Sequence, residues 1–213
     1  MKIALIGATG FVGTQILKEA SSRGHDVTAL VRNVDKVEKR DGITAVEADA
    51  LNTADLAAKL KGNDIVISAY NPGWDNPDIK AVHIAGSKSI TEATKQAGIK
   101  RLIVVGGAGS LRAPDGSQFV DGAAFPAEYK EGALGARQAL EDLRSETALD
   151  WTFVSPPFAL VPGERTGKYR QGKDEPVFSA DGKSTISTSD LAVAILDEAE
   201  KPAHAQERIT VGY

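Results

Sequence analysis

The sequence predicts an α/β fold: one doubly wound, mostly parallel sheet of six to seven strands with helices on both faces. Three observations carry this. Short apolar runs alternate with stretches of helical periodicity from end to end of the 213 residues. A glycine-rich turn joins the first such run to the first helical stretch. No repeat, low-complexity tract or linker divides the chain, so a single domain over residues 1–213 is expected.

Taken in order, Ile3 to Ile6 is a short apolar run of the kind a fully buried strand requires, and Phe11, Val12, Ile16, Leu17 and Ala20 then fall on one helical face. Asp26 to Val31 reads as the second strand and Ile43 to Glu47 as the third. A helix follows over Thr53 to Leu60, where Thr53 and Asp55 suit its start. Asn63 to Ser68 is the fourth strand. A long helix runs from about Ile79 to Gln96, ended by Gly98, and Lys100 to Val105 is the fifth strand. The segment from Gly106 to about Pro126 is irregular, and a connection of that length is usually a binding loop. Helical pattern returns from Ala127 to about Thr147, and Asp150 to Ser155 is the sixth strand, stopped by Pro156 and Pro157. From Phe158 to about Ser184 the chain is rich in Gly, Pro and charge, with Val177 to Ser179 as a short strand candidate. Ser189 and Asp190 mark the start of a last helix to about Glu200, and Arg208 to Val211 is a final strand.

The turn after the first strand is the most informative stretch. Gly7, Gly10 and Gly13 stand at three-residue spacing between a strand and a helix start. Glycines there permit a tight turn and close backbone approach, and the helix start offers free N–H groups and a positive dipole end. The combination predicts a dinucleotide phosphate site, although the spacing is G-x-x-G-x-x-G and not G-x-G-x-x-G. Readers of a bare ribose place an acid at the tip of the second strand. This chain has Arg32 and then Asn33, which suits a 2′-phosphate and predicts NADP(H) over NAD(H). The alternative is a solvated arginine. Lys36 could assist, with Asp35 beside it working against that. Asp49, at the third strand's exit, is placed to meet an adenine amino group or to cap its own turn. Ser68, Ala69 and Tyr70 end the fourth strand, where open sheets bind ligands.

Composition excludes several classes. A formal charge of −4 carries no basic excess for nucleic acid. No apolar run approaches a membrane span. Cysteine is absent, and the three histidines (His25, His83, His204) show no metal-ligand spacing, so no metal is expected. With no room for an export signal before the first strand, the cytoplasm is the expected location.

Gly-Ala-Thr-Gly-Phe-Val-Gly, Ala-Leu-Val-Arg-Asn, Val-Val-Gly-Gly-Ala-Gly-Ser, Trp-Thr-Phe-Val-Ser-Pro-Pro and Gly-Glu-Arg-Thr-Gly-Lys-Tyr-Arg together resemble atypical short-chain dehydrogenases/reductases. The likeness is to the small NAD(P)-binding group near the NmrA-like and biliverdin/flavin reductase-like proteins, and it runs the length of the chain. It implies a Rossmann-type domain in which Gly7, Ala8, Thr9, Gly10, Phe11, Val12, Arg32, Asp49, Ala50, Ser68, Ala69 and Tyr70 line the cofactor. It also implies that Val154 to Phe158 passes near the nicotinamide, with substrate-cleft loops near 106–127 and 156–188. The resemblance breaks at the superfamily's catalytic Tyr and Lys, four residues apart on one helix, which fall here on Ala133 and Arg137. Tyr129 and Lys130 are adjacent, so their side chains diverge by about 100°.

Ser110 is the nearest hydroxyl after the fifth strand, as a substrate donor or a loop cap. Tyr129 and Lys130 are candidates for a general acid, against simple packing and solvation. Tyr70 and Trp74 could stack on a planar acceptor, and Arg165, Tyr169 and Arg170 could catch an acidic substrate or form a charged surface loop. Hydride transfer to a flavin or quinone needs no such tyrosine, since solvent can supply the proton. The expected activity is therefore NADPH-dependent reduction of a flavin- or quinone-type small molecule. The alternative is a non-catalytic NADP(H)-binding sensor of the NmrA-like kind, which would act through a protein partner. Nucleotide-sugar epimerase or dehydratase chemistry, which needs the tyrosine, ranks last.

Overall fold

The computed structural model describes residues 1–213. Its strands are β1 (Lys2–Ile6), β2 (Asp26–Val31), β3 (Ile43–Glu47), β4 (Ile65–Ser68), β5 (Arg101–Val105), β6 (Asp150–Ser155), β7 (Ala159–Val161), β8 (Arg170–Gly172), β9 (Thr185–Ser187) and β10 (Glu207–Gly212). Five helices are interleaved: α1 (Gly13–Ser22), α2 (Thr53–Leu60), α3 (Ile79–Gln96), α4 (Ala127–Arg144) and α5 (Thr188–Glu200).

The main sheet has the order β3-β2-β1-β4-β5-β6-β10-β8, and only β8 runs antiparallel to its neighbour. Strand order reverses between β1 and β4, so the crevice of this doubly wound sheet opens above those two strands. Period-two alternation explains the near-continuous apolar runs, because both faces are buried. Ile3 and Leu5 of β1, with Ile65 and Ile67 of β4, enter the core under α1 and α5. Ala4 and Ile6, with Val66, enter the core under α2, α3 and α4. No helix is long and apolar enough to cross a membrane.

The sheet has eight strands where six to seven were expected, and a separate parallel pair, β7–β9, joins it. Val177 to Ser179 is not a strand. The edge strand lies earlier, at Arg170–Gly172. Val177 instead packs across that edge, filling space beside Gly172 and Gly212, where an added Cβ would lie 3.1 Å from it in each case. α1 begins at Gly13, because Phe11 and Val12 belong to the glycine turn, and Phe11 is exposed. α2 is capped by Asn52 rather than Thr53, through a bond from the Asp55 amide (3.2 Å). α5 is capped by Ser187, whose Oγ accepts from the Asp190 amide at 3.0 Å.

Candidate active site

The crevice is built from three strand tips held by backbone. The Gly7 amide donates to the Leu30 carbonyl (3.2 Å) and the Ala69 amide to the Ile6 carbonyl (2.9 Å). Gly7 has φ +79°, and a Cβ on it would sit 2.5 Å from the Ala69 oxygen. A Cβ on Gly13 would lie 1.9 Å from the Gly7 oxygen. These two glycines let the turn fold back on itself. Gly10 differs: it is exposed, its amide closes the turn onto Gly7 (3.0 Å), and a Cβ on it would meet only the Gly7 oxygen, at 3.3 Å.

Past Gly10 the amides of Phe11 and Val12 donate to no acceptor in the protein. No side chain caps α1 and no acid occupies its first turn. Thr9, Gly10 and Phe11 are exposed, while Ala8 is buried beneath them. Bare amides at the positive end of a helix, reached over a glycine with no side chain, suit a pyrophosphate.

Around this cradle stand the other cofactor candidates. Arg32, at the tip of β2, is exposed and its guanidinium forms no hydrogen bond or ion pair. The next residue, Asn33, turns the chain away by accepting from the Asp35 amide (2.9 Å). Asp49 is exposed; one carboxylate oxygen accepts from the Leu51 amide (2.9 Å), and Ala50 beside it is buried. Ser68 is buried, with its Oγ 3.4 Å from the Tyr70 amide. The Tyr70 ring turns toward α3, donating its hydroxyl to the Val82 carbonyl (3.3 Å) and lying where a Cβ on Gly86 would be 2.3 Å away. Burial first, and the Asp49 charge second, push its phenol pKa up, with Arg32 opposing. His83 lies 6.0 Å from that ring, and burial pushes its imidazole down to about 4, so it is neutral near pH 7.

The catalytic candidates are dispersed. Ser110 is buried, and its Oγ accepts from the buried Arg208 guanidinium (3.3 Å), which also reaches the Ser155 Oγ (3.3 Å) and pairs with Asp174. Tyr129 and Lys130 are exposed at the start of α4, where Tyr129 meets Trp74 edge-to-face at 5.3 Å. Trp74 itself lies against α4 over Gly132, whose Cβ would be 2.5 Å from the indole. Ala133 packs on Gly109, and Arg137 is held by Asp121 (2.8 Å). The charged loop is pinned inward. Arg165 grips Glu19 through two bonds of 2.7 and 2.8 Å, Tyr169 donates to Asp197 (2.8 Å), and Arg170 bonds the carbonyls of Phe178 and Tyr213. All three thus spend their polar ends on the protein itself.

Arg208 and Glu19 are buried polar groups to which sequence reading gave no role, and Asp190, read there only as a helix start, has a further one. Asp190 is fully buried and accepts from the amides of Thr166 and Gly167, the Thr166 hydroxyl and the Tyr213 hydroxyl. The available signal was an arginine inside an apolar strand and an acid inside an apolar helix, each of which must find a partner when buried.

Comparison with known proteins agrees with this geometry. Residues 7–202 match the family described as NAD(P)H-binding. The chain is 41% identical to the uncharacterised protein YwnB of Bacillus subtilis, over 99% of this chain and 98% of that one. A Streptococcus pneumoniae structure, provisionally described as an NADH-flavin reductase, is 36% identical with a TM-score of 0.86, covering 100% and 99% of the two chains. A Burkholderia pseudomallei structure, provisionally described as an exported protein, is 41% identical with a TM-score of 0.90, covering both chains fully at 100%. With its glycine turn, reversed strand order and matched length, this chain belongs to the NAD(P)H-binding family and has a Rossmann-type fold.

Proposed function

We propose that the protein is an NADPH-dependent reductase that passes hydride to a small conjugated acceptor of the flavin or quinone type. The observation that carries this reading is an open glycine turn with unpaired amides at the start of α1, combined with the absence of a tyrosine–lysine pair on α4, where Ala133 and Arg137 stand. A bound nicotinamide supplies the hydride.

The chain's own residues do the rest. The amides of Phe11 and Val12, at the start of α1, hold the pyrophosphate. Arg32, unpaired and exposed, meets the 2′-phosphate with a charge-assisted fork, which is the support for NADPH over NADH. Asp49 has one carboxylate oxygen left over for the adenine amino group. Ala8 and Ala50 form the floor, and Ser68, Ala69 and Tyr70 the shelf between cradle and cleft, with Val154 to Phe158 beyond. The loops near 106–127 and 156–188 enclose the substrate. Ser110 is engaged by Arg208, and Tyr129 stands against Trp74 with Lys130 in solvent, so proton delivery falls to water. A conjugated acceptor tolerates that, because charge left by hydride addition delocalises over its ring system.

The test is NADPH oxidation followed at 340 nm with FMN, riboflavin, a benzoquinone and a naphthoquinone. Saturable turnover that is lost in Gly10→Leu supports the reading. Tight NADPH binding with no turnover on any acceptor would overturn it in favour of a redox sensor acting on a protein partner.

A further inference from the structure

The two cleft loops are joined by phenylalanine. Phe158, the first residue past Pro156 and Pro157, meets Phe119 of the 106–126 segment with ring centroids 4.7 Å apart and planes at 72°. It also faces Phe178 at 6.3 Å and 59°. Half of the chain's six phenylalanines therefore stand in one row, at the carboxyl edge of the sheet. They are not core. Phe158 and Phe178 are 46% and 48% exposed and Phe119 is half-buried, whereas Phe153, on β6 before Phe158, is fully buried. Both hydrophobic cores close without them.

Exposed aromatic rows cost solubility and are kept where something covers them. The planes of the three rings are inclined to one another, so the row offers an aromatic corner in which a planar partner can stack on one ring while another meets its edge. The row is also rigidly mounted: Arg170 grips the Phe178 carbonyl from one side, and Pro156 and Pro157 fix the approach to Phe158. Nothing polar projects from the three side chains themselves, so they select by flatness and polarisability and not by hydrogen bonding. Among the other aromatic candidates, Tyr70 is packed beneath Gly86, and Trp74, 57% exposed, has one side seated on Gly132 and its ring paired edge-to-face with Tyr129.

We infer that Phe119, Phe158 and Phe178 form the platform on which the acceptor lies, and that the acceptor is an uncharged, flat, fused-ring system of flavin or naphthoquinone size. The inference rests on the reductase reading for the ligand's class, and its occupant follows from the platform's continuity with β6, whose end borders the cofactor cleft in that reading. Aliphatic carbonyl compounds, which present no π-face, are poor ligands for it.

The experiment is a fluorescence titration of riboflavin, repeated with 2-methyl-1,4-naphthoquinone as competitor, on protein saturated with NADP⁺. Phe158→Ala, Phe178→Ala and Phe158→Leu are each expected to weaken riboflavin binding about tenfold. In Phe178→Ala, which lies outside the segment assigned to the cofactor, NADP⁺ affinity and thermal midpoint should stay at their wild-type values. Phe158→Leu keeps apolar area and removes only the ring, so its loss reports stacking. Three results would overturn the platform: no riboflavin or naphthoquinone binding by the wild type, unchanged binding in the Phe158 and Phe178 variants, or a loss confined to Trp74→Ala. Binding that depends on Phe158 without NADPH oxidation would leave the platform standing and remove the reductase reading. Turnover with an unaltered KM in Phe158→Ala would do the reverse.

Discussion

Replacing Gly13 by alanine should damage the fold itself, and the structure gives the size of the effect. The new Cβ would sit 1.9 Å from the Gly7 carbonyl oxygen and 2.8 Å from its carbon. An ordinary contact needs about 3.2–3.4 Å, so one backbone segment must retreat by more than an ångström, and neither is free to do so. Gly7 is fixed by its bond to Leu30 and its close approach to Ala69, and Gly13 opens α1. Overpacking of this kind costs about 1–3 kcal/mol, and backbone against backbone belongs at the upper end. Alanine's better helix propensity returns at most about 1 kcal/mol. The net loss should be about 2 kcal/mol, read as a fall in thermal midpoint of about 4–8 °C for a domain of this size. Gly10→Ala is the control. Its Cβ meets only the Gly7 oxygen at 3.3 Å, so stability should stay within about 1 kcal/mol while NADP⁺ binding falls. Calorimetry and a cofactor titration on both variants decide it. A Gly13→Ala protein melting within a degree of the wild type would refute the reasoning.

Three further outcomes are expected. Arg32→Ala should weaken NADPH binding about tenfold or more and spare NADH, and an equal loss for both cofactors would remove the 2′-phosphate assignment. Glu19 has its carboxyl held below the usual carboxylate range by Arg165 first and Arg23 next, against the opposing effect of burial. A depressed folded pKa contributes stability that is fully present above the unfolded value and is lost as pH falls through the folded one. The stability gap between wild type and Glu19→Gln should therefore close as urea melts are taken from about pH 6 to below about pH 4, and a gap independent of pH would refute this. Arg208→Met should free the 173–176 loop by removing the Asp174 pair and the Ser110 bond, costing about 1–3 kcal/mol. Faster tryptic cleavage at Lys173 is the readout, and an unchanged rate would show that the loop is held by other means.

What could be read from the sequence follows from where each feature stores its information. β1, β2, β4, β5 and β6 are buried on both faces, so their apolar runs identify them directly. β7, β8 and β9 have three residues each, too few to display a period. β8 reads Arg-Gln-Gly and is a strand only because β10 supplies its hydrogen bonds. The cradle was legible because glycine acts through backbone that is local in sequence. Ser110 was not, since its partner Arg208 lies 98 residues away. Tyr70 illustrates a signal overlooked. Gly86, in the middle of α3, sacrifices about 1 kcal/mol of helix propensity, and the close approach of the tyrosine ring is what that glycine permits.

The seating of Trp74 on Gly132 has a spectroscopic consequence. The chain has two tryptophans, and they occupy opposite environments. Trp151 is 3% exposed in β6, with its indole N–H bonded to the Glu146 carbonyl, while Trp74 is 57% exposed on the loop that leaves the Ser68–Tyr70 shelf. Their emission should separate into a blue component from Trp151 and a red one, open to collisional quenchers, from Trp74. The reduced nicotinamide ring absorbs in the region where indoles emit, so energy transfer upon loading weights the two components by distance. The unlabelled protein thus carries one lamp in its interior and one beside its cleft, and a quencher such as acrylamide tells them apart.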